Sequence, residues 1–235
     1  MASEGPRNLI LEEGIFLLED PEIGRRVHEF DENKFPFQTE ECLDFIEKNI
    51  LNDTRIRETV KFCVDRPGLG FLKALGPNPY HVFCFNSTTG SKEGIDQTSS
   101  KKDDANLLVV QLLSPGSEMV YYKASHQYPL KVKPASIGLL EVQKESLEKG
   151  HIERLEVTMK DGGFAIVDGR LGFGITQGMG IMVGFTVEEK VKLWPKMRLL
   201  GTKSVKQKLM RMTHDGIYMN FGFVDLPSRG EGDKV

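Results

Sequence analysis

Cysteine is scarce: the chain has three in 235 residues, Cys42, Cys63 and Cys84, and no C-x-x-C pair. That pattern argues against zinc ribbons and thioredoxin-type redox chemistry. An odd number of well-spread thiols, with no basic start leading into a long apolar run, gives the expectation of reduced cysteines and an intracellular, cytoplasmic location. Long apolar runs are also missing. Leu9-Ile10-Leu11 stops at Glu12-Glu13, far short of a membrane span. Charge of one sign is not in excess, with 31 basic against 34 acidic residues and a net charge of −3, so neither nucleic acid nor a membrane is an expected partner. The basic cluster Lys203, Lys206, Lys208 and Arg211 reads as the solvated face of a helix. Finally, none of the five histidines starts a His-x-Asp pair; His151-Ile152-Glu153 is the sole His-x-Glu and reads as an exposed strand start.

What is present is ordinary globular composition, 39% hydrophobic and 28% charged, on a length that suits one domain. The expected organisation is a single domain over 1–226 and a flexible tail over 227–235. Asn8–Glu19 reads as one or two strands and Arg25–Pro36 as a polar, extended entry. Thr39 is placed to cap a helix whose apolar face is Cys42, Leu43, Ile46 and Ile50. Ile56–Val64 alternates like a strand, with Glu58 as a misfit, and Leu69–Leu75 reads as one or two helical turns. The Ser-, Thr- and Lys-rich stretch 86–104 reads as a loop or lid.

From Ala105 short strands follow one another. They are Leu107–Leu113, Met119–Tyr122, Leu139–Gln143, a segment around Leu155–Met159, Phe164–Asp168, Leu171–Thr176 and Gly180–Thr186. Asp161-Gly162-Gly163 supplies hairpin chemistry. Two amphipathic segments and a last strand, Gly216–Val224, close the chain. Many short strands at regular spacing predict a mainly β fold with flanking helices, of the double-stranded β-helix or jelly-roll kind, rather than βαβ units.

The glycine run Gly172–Gly178 has the look of a dinucleotide fingerprint, but a strand-like segment follows it instead of a helix. It therefore reads as turns and bulges. Phe164, Ile166, Asp168 and Arg170 share one face of an extended strand. An inward acid–base pair there must be a structural salt bridge or line a pocket. His126, after Tyr121-Tyr122, is a candidate proton donor or acceptor. Tyr122, Phe173, His81 and Trp194, the only tryptophan, are candidates for lining a substrate cavity.

Leu107–Leu113, Tyr121–His126 and Gly162–Leu171, about a third of the chain, resemble the phytanoyl-CoA dioxygenase-like branch of iron and 2-oxoglutarate oxygenases. The chain is also similar to uncharacterised fungal proteins found among small-molecule biosynthetic enzymes. The resemblance implies a jelly roll, a Ser-His turn matched by Lys123-Ala124-Ser125-His126, and a later strand leading to a distal iron-binding histidine. Ser114-Pro115-Gly116-Ser117 competes as a match for the turn. At the distal histidine's position this chain has Gly172-Phe173, and the expected His-x-Asp is absent.

These readings lead to an expected metal-free isomerase or cyclase, without cofactor, acting on a hydrophobic biosynthetic intermediate in a pocket at the barrel mouth. His126 would move the proton, Arg170 would steady negative charge and Asp168 would orient it. Two alternatives stand beside it. One is an iron and 2-oxoglutarate oxygenase using displaced ligands such as His81, His126 and Asp168. The other is a non-catalytic binding protein, with dimerisation through a sheet face.

Overall fold

The computed structural model describes residues 5–34, 37–87, 107–212 and 216–224. The expected lid at 86–104 lies almost wholly outside the described residues, and the tail at 227–235 lies outside them altogether.

The N-terminal third is more helical than its sequence pattern predicts. Pro6 presets the first turn of α1 (Pro6–Glu12), and the strand expected over Asn8–Glu19 is confined to β1 (Ile15–Glu19). The polar entry expected at Arg25–Pro36 is instead largely α2 (Pro21–Glu32). Asp20 caps it by accepting from the backbone N–H groups of Glu22 and Ile23, and Ile23, Val27 and Phe30 form its buried stripe. α3 (Glu40–Ile46) starts after Thr39, whose hydroxyl makes no capping bond, and continues as a π-turn over Glu47–Leu51. Cys42, Leu43, Ile46 and Ile50 are buried as expected. The strand expected at Ile56–Val64 is α4 (Thr54–Cys63), capped by Asp53. Ile56, Thr59 and Val60 make the buried face, and the misfit Glu58 lies on the exposed one. Residues four apart also share parity, so the alternation of Ile56 and Val60 fits either period.

Leu69–Leu75, expected as helical turns, belongs to β2 (Pro67–Leu75). β3 (Phe83–Cys84), β4 (Leu108–Leu113), β5 (Ser117–Lys123), β6 (Val132–Pro134), β7 (Leu140–Val142), β8 (Glu153–Met159), β9 (Gly163–Asp168), β10 (Gly172–Gln177) and β11 (Gly180–Val187) follow. The glycine run is the β10 strand itself. After β11 come α5 (Glu188–Val191), β12 (Met197–Leu200), α6 (Lys203–Met212), β13 (Tyr218–Met219) and β14 (Phe221–Val224).

Two six-stranded sheets face each other, ordered β1-β9-β4-β11-β2-β13 and β6-β7-β3-β10-β5-β8. Along the chain β2, β4, β9 and β11 alternate between the first sheet and β3, β5, β8 and β10 in the second. That crossing pattern is a double-stranded β-helix. The strand expected at Gly216–Val224 is split: β13 pairs parallel to β2 at the edge of the first sheet, and β14 pairs parallel to β12.

The helices cover only the outer face of the first sheet. Val27, Leu43, Ile46 and Ile56 pack there against Val110, Leu112, Phe164 and Ile166. The inner face offers Val109, Leu113, Ala165 and Val167 to Met119, Tyr121, Phe173 and Ile175 of the second sheet. β4 is thus buried on both sides, which is why its sequence is continuously apolar. α6 is not merely a solvated basic helix: Lys208 is buried, and its ammonium is held by Asp44 and by Glu47 at 2.9 Å, tying α6 to the α3 layer. Between the sheets the Tyr121 hydroxyl donates to Gln111 Oε1 at 2.8 Å, so this level of the barrel is filled. Among the described residues no helix is long and apolar enough to cross a membrane.

Because Leu112 seals the sheet–helix core, Leu112→Ala should cost about 2–5 kcal/mol in urea unfolding. Thr158→Ala, on the exposed face of β8, should stay within about 0.5 kcal/mol.

Candidate functional site

Two adjoining cavities lie beside the barrel where β2 approaches β3 and the turn that contains Gly138. Strand alternation turns Phe71, Lys73 and Leu75 toward the space between the sheets. Four rings stack here in a column. Trp194 lies 6.3 Å from Phe71, Phe71 lies 5.5 Å from Phe85, and Phe85 lies 5.3 Å from Phe173, with interplanar angles of 21°, 21° and 12°. Two glycines make room for it. A Cβ on Gly184 would fall 2.1 Å from the Phe71 ring, and one on Gly70 would fall 2.5 Å from the Trp194 indole. Two chambers flank the column, of about 600 and 560 Å³, and both are lined by Lys73 and Gly138. Phe173 and Ile175 wall one chamber, and Phe71, Phe85 and Trp194 wall the other. Asn86 lines the second chamber, and its buried Oδ1 meets no donor among the described residues.

His126, Asp168 and Arg170 sit elsewhere. Phe164 and Ile166 face the helix layer rather than the barrel interior, so the strand face that ends at Asp168 also looks toward the helices. This corrects the expected pocket-lining pair. Arg170 is past the strand end and folds back onto Asp168. Its Nε and Nη2 donate to the two carboxylate oxygens at 2.8 and 2.7 Å, and its backbone N–H donates at 2.9 Å. The carboxylate raises the guanidinium pKa in return. His126 lies in a 3₁₀ turn over Ser125–Gln127 and is 4% exposed. Its Nε2 donates to the Leu11 carbonyl at 3.0 Å, an acceptor that fixes the tautomer, and the buried Nδ1 has no partner among the described residues. The histidine pins α1 to the end of β5. Neither it nor the Asp168–Arg170 pair lines either chamber.

The remaining candidates divide. Phe173 and Trp194 belong to the column. Tyr122 points to the other face of its sheet and packs with Val82, Val142 and Leu147. His81 is on the surface, 2.9 Å from Glu141. The sequence reading missed Phe71, Lys73 and Phe85. The Phe71-x-Lys73-x-Leu75 alternation carries the signal, but over so short a stretch it also fits helical turns.

Iron and 2-oxoglutarate, implied by the family resemblance, can be tested against the donors present. Among the described residues no group of three or more His, Cys, Asp or Glu side chains could hold a metal ion. The alternative set His81, His126 and Asp168 is not brought together. Phe173, at the place the resemblance gives to the distal histidine, is fully buried in the column and offers no donor. The described residues therefore do not fit the metal.

Burial pushes the His126 pKa below its ordinary 6.5, with Asp168 opposing and Arg170 adding to the shift. A depressed histidine contributes stability that is fully present above 6.5 and is lost as pH falls toward the folded-state pKa, because the unfolded chain takes up the proton first. Wild-type stability should therefore drop more between pH ~7 and ~5.5 than that of His126→Gln, as read from urea midpoints. Equal drops would remove His126 as the cause.

No known family profile and no curated protein sequence matches this chain. Solved structures do. Apo HygX from Streptomyces hygroscopicus superposes with a TM-score of 0.54 at 10% identity, over 88% of this chain and 94% of that one. HygX with iron bound gives 0.52 at 11% over the same shares. EctD from S. alaskensis with 2-oxoglutarate and 5-hydroxyectoine gives 0.52 at 12%, over 80% of this chain and 79% of that one. At these identities the likeness speaks for architecture: this chain is a jelly roll of the double-stranded β-helix type that these proteins share.

Proposed function

We propose that the protein binds a hydrophobic small molecule in the two-chambered cleft and converts it without a resident iron, as an isomerase or cyclase. The observation that carries the reading is the ring column, which puts Phe173 where the resemblance calls for a metal ligand and walls an open cleft instead. The structural neighbours support an enzymatic role, because HygX structures hold iron, or nickel with 2-oxoglutarate, on the same fold. In this chain the site would act by shape. A flexible guest held between Trp194, Phe71 and Phe173 loses rotational freedom and water, which favours a ring-closing or rearranged conformer. His126, Asp168 and Arg170 then serve as structural struts and do not touch the guest.

A second reading, binding without turnover, is favoured by the chamber linings. Among the described lining residues of the two chambers there is no histidine or carboxylate to move a proton.

Trp194 is the only tryptophan, so its fluorescence reports on the cleft. A screen of hydrophobic metabolites should produce ligands that shift it, and Phe71→Ala should weaken those ligands about tenfold or more. A product of unchanged mass supports the isomerase or cyclase; saturable binding with no product supports the second reading. Metal analysis of protein grown in iron-replete medium should give far less than one iron per chain. Stoichiometric iron together with 2-oxoglutarate consumption would overturn the proposal.

A further inference from the structure

Lys73 is a cation facing into an apolar cleft, and its position bears on what the cleft takes. It stands between Phe71 and Leu75 on the inward face of β2, half-buried, at the seam where both chambers meet. Gly138, at φ +70°, forms the opposite side of the seam. A Cβ there would come 3.1 Å from the Lys73 ammonium, so the glycine leaves the charge room. Among the described residues no carboxylate forms an ion pair with Lys73, although most other inward or half-buried cations of the fold, such as Arg170 and Lys208, are held by acids. Neither chamber has Asp or Glu among its described lining residues, and the second adds Lys190. A cleft with only basic charge, in a protein of net charge −3, departs from its own background. Apolar walls strengthen the field of such a charge.

We infer that the guest is a carboxylic acid with an apolar, ring-bearing arm, its carboxylate held by Lys73 at the seam and its arm laid along the Trp194–Phe71 face. The inference rests on the cleft being the binding site. Each chamber has the size of a small-ligand pocket. A single carboxylate matches one ammonium supplemented by the neutral Asn78 and Ser136 in the first chamber. A phosphate ester would call for an arginine fork or a helix N-terminus, and no arginine is among the described residues lining either chamber. Asn86 Oδ1, which meets no donor among the described residues, further favours a guest carrying an N–H or O–H on its arm.

The test titrates Trp194 fluorescence with phenylbutyrate and with its neutral counterpart phenylbutanol, in wild type, Lys73→Met, Lys73→Arg and Phe71→Ala. Methionine keeps the apolar stem and removes the charge. Wild type should bind the acid about tenfold more tightly than the alcohol, the ratio expected from one charge-assisted hydrogen bond. Lys73→Met should bring the ratio to about one without changing alcohol affinity, Lys73→Arg should keep it, and Phe71→Ala should weaken both ligands. Equal affinities in wild type, or a preference that survives Lys73→Met in a variant with an unchanged melting temperature, would overturn the carboxylate and leave the cleft standing. A tryptophan signal that answers to neither compound would overturn the cleft reading and the inference together.

Discussion

The stack of four aromatic rings is the constraint on which the candidate site depends. Trp194 arrives from the segment after α5, Phe71 from β2, Phe85 from the end of β3 and Phe173 from β10. The column therefore ties both sheets and the C-terminal segment into one wall. Each stacked pair adds about 0.5–1.5 kcal/mol beyond simple area burial, and three pairs in series hold the cleft's geometry. Where the resemblance calls for a metal ligand, the column presents hydrocarbon, and so the same feature that shapes the cleft also changes the chemistry the barrel can host.

The buried polar cluster and the cleft have separate tasks. Asp168 and His126 are buried and Arg170 is half-buried, and they are satisfied by one another or by backbone, apart from the His126 Nδ1, which has no partner among the described residues. A buried carboxylate held by three donors is a rigid strut. In the cleft Lys73 stands among rings, and Lys190 lines the second chamber. Shape and positive charge are then the means of recognition available there, in keeping with ordinary small-ligand sites.

The sheet core was legible in the sequence because burial on both faces makes β4, β9 and β11 near-continuous apolar runs, and turn residues punctuate them. The N-terminal half was less so. Ile56–Val64 satisfied a period of two as well as a helical one, and the Asp53 cap, a short-range signal, settles it as α4. In α2 the wide polar face hid a three-residue apolar stripe. The same difficulty concealed the site: Phe71 and Lys73 lie in a strand that reads as helical turns, so their shared inward face went unseen. Phe173 and Trp194, expected as cavity-lining residues, stand in the ring column. His126, Asp168 and Arg170 were conspicuous as chemistry, but which side of β9 faces the helices is a tertiary fact. No local pattern distinguishes the inner from the outer face of a strand buried on both.

The account makes Trp194 one wall of an open cleft whose charge is positive. Quenching of its fluorescence by iodide, compared with quenching by caesium at equal ionic strength, measures access and local charge together. Iodide should quench well and caesium poorly. Equal protection from both ions, or stronger quenching by caesium, would contradict an accessible, cation-lined cleft.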